Sequence, residues 1–577
     1  MMPENTYLLV AGTVVTAILA GCAIAPDRAP EAATETVAVK SESDLPKVKL
    51  TPDVLYNVLV GELAGRKGDF ELSVRSLARA ARVTRDPRLA ERATRAAIFS
   101  KRYSEALESA RLWVEMRPNA LDGREFLATI LLELDNAVEA EQQFEQMLTL
   151  AGKQNKLDRA YTRISAVLAR HKNRITSLEI MARLSRQHAA RPQAQFALAH
   201  LGLQAGSLSI ATAAIDRALI IQPAWQEAAL LKVRILSTAK DQKKAKLFYQ
   251  AYLKKHPGAA RVRMGYARYM VDRKQWEVAL NQFVLVLRQR PQDTDILYAL
   301  GLLSLQTDKL KDANKYFQRA TENDPSNDQI KLYLGQTAER RKRYDEAERW
   351  YSSISKMKHR FEARVRLGAV TAKRGDLQKG LRILHAINPT NDEQRVQLAL
   401  AEEQIQRDAG KYSVALKILN KALKALPKHK DLLYARALVA EKLDDLVLHE
   451  RDLRLVLKLD PKNAHALNAL GYTLADRTDR HQEAFRLIKQ ALELRPNDPF
   501  ILDSMGWVHY RLGNSSDAVR FLRRALDIRP DAEISAHLGE VLWTSGKQRQ
   551  AKRIWDRALQ KDPDNKVLQS AIKKFKK

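Results

Sequence analysis

The sequence has one cysteine, Cys22, among its 577 residues. A single cysteine excludes an intramolecular disulfide framework and any metal site built from clustered cysteines. Glycine and proline are also few, at 22 and 19 residues, whereas 45% of the residues are hydrophobic. This composition predicts a folded, helical protein that is stabilised by packing alone, and it is not that of a disordered chain.

Acidic residues are in deficit. The 68 Asp and Glu stand against 98 Lys and Arg, which gives a formal charge of +30. Such a surplus indicates an anionic partner, such as nucleic acid, phospholipid headgroups or an acidic protein. At roughly 100–200 residues per domain the length would predict about four domains, unless the chain is a repeat array.

One continuous apolar run lies near the N-terminus, from Tyr7 to Ala20. It is shorter than the ~20 residues that a membrane-spanning helix needs, and it has the length of a secretory signal. The LAGC at Leu19 to Cys22 resembles the bacterial lipobox, whose cysteine is diacylated after cleavage. The resemblance implies a signal peptide over residues 1–22 and lipidation of Cys22. An uncleaved anchor and a chance match are the alternatives, because the preceding MMPENTY carries no Lys or Arg.

Residues 23–52 lack periodicity and are rich in Ala, Pro, Glu, Thr and Ser, which predicts a flexible tether. Thirty such residues have an r.m.s. reach of roughly 30 Å. In the lipoproteins that this segment resembles, Ala rather than Asp after the cysteine favours the outer membrane. The resemblance therefore implies an outer-membrane protein that is lipid-anchored and faces the periplasm, and it argues against nucleic acid as a partner.

A period of 34 residues organises the chain from about residue 53. It is marked by Pro223, Pro257, Pro291 and Pro325, with a small residue twelve positions before each of several such prolines. Twelve positions earlier again, the clearest units have Gly301, Gly506 and Gly539. These residues resemble the tetratricopeptide repeat, a helix–turn–helix unit. The resemblance implies an all-α, right-handed superhelical α-solenoid of about 14–15 units.

The repeat is not equally regular along the chain. We predict partly degenerate N-terminal units over 53–190, a basic central array over 191–354, degenerate or shortened units over 355–400, and a C-terminal array over 401–577. Stability in such an array is a sum over neighbouring units.

Catalytic motifs are missing from the sequence. The twelve histidines form no HExxH, there is no GxSxG, and GEVLWTSGK at 539–547 has the wrong gap for a phosphate-binding loop. We therefore predict a protein that is not an enzyme and has no cofactor or metal site.

In tetratricopeptide proteins the first helix of each unit lines the concave surface. The resemblance implies that three positions of each first helix face inward in this chain. They are the residue directly after the unit's glycine and the residues three and four positions beyond that one. In the C-terminal units this gives a candidate partner-binding groove of Tyr472, Trp507, Tyr510, Arg511 and Trp543. Aromatic and Arg side chains suit protein recognition. The alternative is that these rings pack between neighbouring first helices as core.

A basic segment lies mid-chain. Residues 225–291 hold fifteen Lys or Arg against four Asp or Glu, and Arg234 and Arg268 fall at equivalent inward positions of successive units. They form a candidate basic groove for acidic peptides, lipid headgroups or a carboxylate terminus. The simpler interpretation is a generally basic surface.

The order of lipobox, tether and repeat array resembles the outer-membrane tetratricopeptide lipoproteins of Gram-negative bacteria. The stretch from Leu470 to Gly513 resembles a proteobacterial subgroup especially closely. Some members of the wider class are adaptors that bind a periplasmic carboxyl-terminal processing protease and bring it substrates, often cell-wall hydrolases. The resemblance implies a scaffold or adaptor of this kind. The alternative is an envelope-assembly or polysaccharide-export module that binds an anionic glycan, peptidoglycan or lipid headgroup.

Overall fold

The structure, a computed structural model, describes residues 48–575 and contains 31 helices and no strand in that part of the chain. The signal peptide 1–22, Cys22 and residues 23–47 of the tether lie outside the described residues. Between residues 48 and 575, no helix combines the length and the apolarity that crossing a bilayer requires.

The described residues fall into two compact units that divide between Pro291 and Gln292. The helices of the first unit are α1 Pro52–Lys67, α2 Phe70–Thr84, α3 Pro87–Phe99, α4 Tyr103–Met116, α5 Leu121–Glu133, α6 Ala137–Lys153, α7 Leu157–Leu168, α8 Arg174–Arg186, α9 Pro192–Gln204, α10 Leu208–Ile221, α11 Gln226–Thr238, α12 Gln242–Lys255, α13 Ala260–Asp272 and α14 Trp276–Gln289.

The helices of the second unit are α15 Thr294–Gln306, α16 Leu310–Asn323, α17 Asp328–Arg340, α18 Tyr344–Ser352, α19 Met357–Lys373, α20 Leu377–His385, α21 Asp392–Asp408, α22 Tyr412–Ala425, α23 Lys430–Lys442, α24 Leu446–Leu459, α25 Ala464–Arg477, α26 His481–Leu494, α27 Pro499–Arg511, α28 Ser515–Ile528, α29 Ala532–Thr544, α30 Gln548–Lys561 and α31 Lys566–Phe575.

Successive helices form pairs joined by short turns, from α1 with α2 to α29 with α30, and α31 packs on α29. Fifteen pairs within the described residues agree with the predicted number of units. The first helices of four consecutive pairs begin at Gln226, Ala260, Thr294 and Asp328, which is the 34-residue period of the sequence. The all-α solenoid of helix pairs is confirmed.

Small residues are required where the two helices of a pair meet. A Cβ added at Gly301 would overlap the ring of Phe317, and one added at Gly539 would overlap the indole of Trp555. Both aromatic rings are fully buried. Each glycine therefore makes room for a large side chain of its partner helix, and this packing fixes the distance between the helices.

The turn within a pair needs a residue in the left-handed region. Gly513 and Gly546 lie five residues before the small residue of their second helices, a place where the sequence predicts a left-handed glycine that ends the first helix. Both have this conformation, with φ of 84° and 78°. Asp308 and Lys342 occupy the same place in other pairs with φ of 57°. The turn is thus retained where glycine is absent.

The repeat is shortened in the second unit, where the second helices α18 and α20 have nine residues each. Asp328 bridges this region, because its carboxylate accepts hydrogen bonds from the backbone N–H of Ser355 (3.0 Å) and Lys356 (2.7 Å). The four segment boundaries given above remain predictions.

Candidate functional site

The first helices α25, α27, α29 and α31 lie side by side near the C-terminus. Between them is an open pocket of about 810 Å³. Its lining combines aromatic and charged side chains and comprises Asp476, Trp507, Tyr510, Arg511, Ala536, His537, Glu540, Lys566, Val567, Ser570, Ala571 and Lys574. We call this the C-terminal pocket.

Helix α27 supplies the Trp and Tyr side chains that line the C-terminal pocket. Asp498 caps the helix, its side chain accepting from the N–H groups of Phe500 and Ile501, and Pro499 occupies the first turn. This start sets the register, so that Trp507, Tyr510 and Arg511 share one face at helical spacing. The ring centroids of Trp507 and Tyr510 are 5.2 Å apart.

Trp507 is held from two sides. Its Nε1 donates a hydrogen bond to Oδ1 of Asp476 on α25 (3.1 Å), and its ring lies 4.5 Å from that of His537 on α29. The side chain is only 6% exposed. The indole is therefore a fixed wall of the pocket, with little rotamer freedom to lose when a ligand contacts it.

His537 also forms part of a chain of polar contacts with Asp503 and Tyr472. The Nδ1 of His537 is 2.9 Å from Oδ1 of Asp503, and its Nε2 is 3.4 Å from the hydroxyl of Tyr472. Burial alone would lower the pKa of His537, but the Asp503 carboxylate outweighs it and the pKa is raised. Burial also raises the pKa of Tyr472 well above its usual value.

The lining of the C-terminal pocket includes more Lys and Arg side chains than carboxylates: three (Arg511, Lys566, Lys574) against two (Asp476, Glu540). Lys574 pairs with Glu540 at 2.8 Å. Arg511 donates to the backbone carbonyl of Asp476 at 3.1 Å. Lys566 is exposed. The pocket thus offers two cationic groups, Arg511 and Lys566, that no carboxylate neutralises within the described residues.

The predicted groove residues do not all lie in one place. Trp507, Tyr510 and Arg511 line the C-terminal pocket, whereas Tyr472 lies behind it against His537. Trp543 is outside the pocket lining and stacks on Trp555, with ring centroids 5.6 Å apart. Their role in binding a partner remains a prediction.

Sequence reasoning missed the residues that complete the site: Asp476, Asp503, His537, Glu540, Lys566 and Lys574. Asp503 could have been found, because it precedes Trp507 by four residues and so shares its helix face. His537 lies two residues before Gly539, outside the inward positions that the repeat predicts. The lysines of α31 belong to a helix that follows the last pair.

The mid-chain basic residues Arg234 and Arg268 differ in exposure. Arg234 on α11 is exposed, and Arg268 on α13 is half-buried. Burial and the charge of Arg234 lower the pKa of His200 on α9, which places Arg234 near the neighbouring first helix. A functional basic groove remains a prediction. Among residues 48–575, no cluster of three or more His, Cys, Asp or Glu is arranged to hold a metal ion.

Comparison with known proteins identifies the family. Tetratricopeptide-repeat profiles match residues 298–356 and 401–448, and another matches residues 462–531. A TPR repeat-containing protein of Pseudomonas aeruginosa is 34% identical over 531 residues, which is 91% of this chain and 89% of that protein. The chain belongs to the tetratricopeptide-repeat family. Proteins built from these repeats generally bind other proteins, and this chain is accordingly a protein-interaction scaffold.

Other similarities are shorter or weaker. A human protein O-mannosyl-transferase is 25% identical over 173 residues, 29% of this chain and 20% of that protein. A thermophilic TPR protein from Thermus thermophilus is 22% identical, with a TM-score of 0.28, over 32% of this chain and 99% of that one. A tetratricopeptide-repeat protein from Parabacteroides merdae is 16% identical, with a TM-score of 0.32, over 50% of this chain and 100% of that one.

Proposed function

We propose that this scaffold is lipid-anchored through Cys22 in the outer membrane, faces the periplasm, and docks a processing protease or a cell-wall hydrolase together with its substrates. The scaffold raises the effective concentration of the bound proteins for each other and breaks no bond itself. The order of lipobox, tether and repeats supports the anchoring.

The C-terminal pocket is the observation that carries the docking proposal. Trp507 and Tyr510 form a rigid aromatic surface, and Arg511 and Lys566 beside it have no carboxylate partner among residues 48–575. The matching ligand is an extended segment of a partner protein with an apolar side chain next to a carboxylate. The apolar side chain packs on the aromatic rings, and the carboxylate pairs with the cationic groups. Buried aromatic anchors and Arg are the residues that dominate such interfaces.

The test is co-purification from detergent-solubilised envelopes. We expect the wild-type chain to recover a protease or a hydrolase, and Tyr510→Ala combined with Lys566→Gln to recover much less of it. Lys573→Gln is the matched control for the lysine, because Lys573 is exposed on the same helix and does not line the pocket. Equal recovery by the double variant and the wild type would remove the pocket from the proposal.

Two further measurements separate the parts of the proposal. The intact mass of the purified protein reports whether Cys22 carries acyl chains, independently of any partner. Binding to isolated peptidoglycan or lipopolysaccharide that weakens steeply with salt, in the absence of a protein partner, would favour the glycan-binding alternative, because surface charges are screened.

A further inference from the structure

The N-terminal end of the first unit exposes a group of large apolar side chains. Six of them fall within sixteen residues, and each is between 42% and 69% exposed. They are Val48, Leu50, Leu55, Tyr56, Leu59 and Leu63. The last four lie on α1, and we call them the α1 stripe.

The packing of the opposite face of α1 against α2 keeps the α1 stripe exposed. Gly61 lies against Leu77 of α2 so closely that a Cβ would overlap the leucine side chain. The Ser73 hydroxyl donates to the Gly61 carbonyl at 2.7 Å. Helix α1 cannot rotate to bury Leu55, Leu59 and Leu63 without losing these contacts, because i, i+4 and i+8 positions share a face.

The other terminal helix is different. In the second unit, α31 buries Leu568 and Ile572 and exposes Lys566, Lys573 and Lys574. Such a polar outer face is what the terminal element of a repeat array normally has. A helix at the edge of the array therefore does not have to expose leucines. The exposed leucines of α1 indicate that another surface covers them.

The size of the stripe limits what that occupant can be. Sixteen residues of helix extend about 24 Å and are about 10 Å wide. A stable protein interface needs about 800 Å² from each partner. A second copy or another protein that contacts α1 alone would therefore bind weakly. A membrane to which the chain is already anchored needs no large contact area, because the anchor keeps α1 close to it.

The charges around the α1 stripe match a lipid surface. Lys49 precedes the helix, Arg66 and Lys67 end it, and all three are exposed. The carboxylates of α1 are neutralised, since Asp53 pairs with Arg79 (3.2 Å) and Glu62 pairs with Arg92. Exposed apolar side chains flanked by basic residues suit a contact with an anionic lipid surface, since burial of the apolar groups and attraction to the headgroups both favour it.

We propose that α1 lies flat on the membrane, with Leu55, Tyr56, Leu59 and Leu63 inserted at the boundary between headgroups and acyl chains. The inference rests on the proposed anchor at Cys22. Pro52, the first residue of α1, follows Cys22 by thirty residues, and the ~30 Å reach of such a linker brings α1 to the bilayer surface. The helix is thus a second membrane contact that orients the array.

The test places a fluorophore on the stripe of the full-length anchored protein. In Leu59→Cys the new thiol is the only one free for labelling, because the acylated Cys22 is blocked. Val83→Cys is the matched control, because Val83 is an exposed apolar residue on α2. Both proteins are reconstituted into phosphatidylethanolamine and phosphatidylglycerol vesicles that contain a lipid with a nitroxide near its headgroup.

We expect the nitroxide to quench most of the fluorescence at position 59 and little at position 83. Equal quenching at the two positions, in protein that remains on the vesicles, would overturn the inference and leave the anchor intact. Disulfide-linked dimers formed by unlabelled Leu59→Cys on the same vesicles after addition of a thiol oxidant, with little quenching of the labelled protein, would also overturn it, in favour of a second copy. A wild-type protein whose Cys22 accepts the label shows instead that the anchor itself has failed.

Discussion

Trp507 and Asp476 are joined across two successive pairs, the indole Nε1 donating to Oδ1 of the aspartate at 3.1 Å. Arg511 donates to the backbone carbonyl of the same aspartate at 3.1 Å. One residue of α25 therefore positions both an aromatic wall and a cation of the C-terminal pocket.

Asp476→Ala should leave the indole N–H without its acceptor and lower the free energy of unfolding by about 1–3 kcal/mol. Partner recovery should fall with it, because Trp507 loses its fixed orientation. Urea unfolding followed by circular dichroism measures the first effect. Asp479→Ala, at an exposed aspartate of the following turn, should change neither quantity, and a similar loss in both variants would contradict the assignment.

The ion pair of His537 and Asp503 predicts a pH dependence. The folded-state pKa of His537 is raised above 6.5, its ordinary value. The stability that the protonated form contributes is therefore complete below about pH 6.5 and is lost as the pH rises through the folded-state pKa. Relative to His537→Gln, the wild type should lose stability as the pH rises above about 6.5.

Asp503→Asn reverses the sign of this dependence. Without the carboxylate, burial dominates and lowers the pKa of His537, so that stability is lost as the pH falls below 6.5. Urea unfolding at several pH values checks both slopes. A wild type and an Asp503→Asn variant with the same slope would be evidence against a charged pair.

Gly539→Ala should destabilise the second unit by about 1–3 kcal/mol, because overpacking forces helix α29 away from Trp555. Gly152→Ala is the control within a helix: its Cβ would meet Leu157 only at 3.9 Å or more, and alanine favours the helix by up to about 1 kcal/mol. Thermal unfolding of the two variants should therefore shift in opposite directions.

Asp452→Asn should be among the costliest single changes in the second unit. Asp452 is buried and accepts from Nε and Nη2 of Arg436 at 2.6 and 3.0 Å. Removing one partner of a buried pair costs about 3–5 kcal/mol. Asp460→Asn, which breaks the exposed pair with Lys430 at 3.1 Å, should cost about 1 kcal/mol or less. Comparable losses in the two variants would contradict this difference in burial.

The fold was predictable because its determinants are local and periodic. Gly301 and Ala313 recur at fixed offsets since each pair needs the same close approach, and the prolines mark where second helices end. The turn residues were only partly predictable. Gly513 has the expected left-handed conformation, but Asp308 and Lys342 adopt it too, and no composition signal distinguishes them from ordinary helix residues.

The candidate site was less predictable because it is assembled across pairs. The inward positions of one helix include Trp507 and Arg511, which follow from the repeat. His537 meets Asp503 at 2.9 Å from a position thirty-four residues later, and this contact depends on the rotation between neighbouring pairs. Trp543 occupies a nominally inward position but stacks on Trp555.

The walls of the C-terminal pocket come from α25, α27, α29 and α31, which lie side by side in that order. A ligand that bridges Trp507 on α27 and Lys566 on α31 therefore spans two junctions between pairs and opposes their rotation. Ligand binding and the opening of these junctions are therefore thermodynamically coupled. The ligand makes the junctions harder to open, and opening them weakens ligand binding by the same free energy.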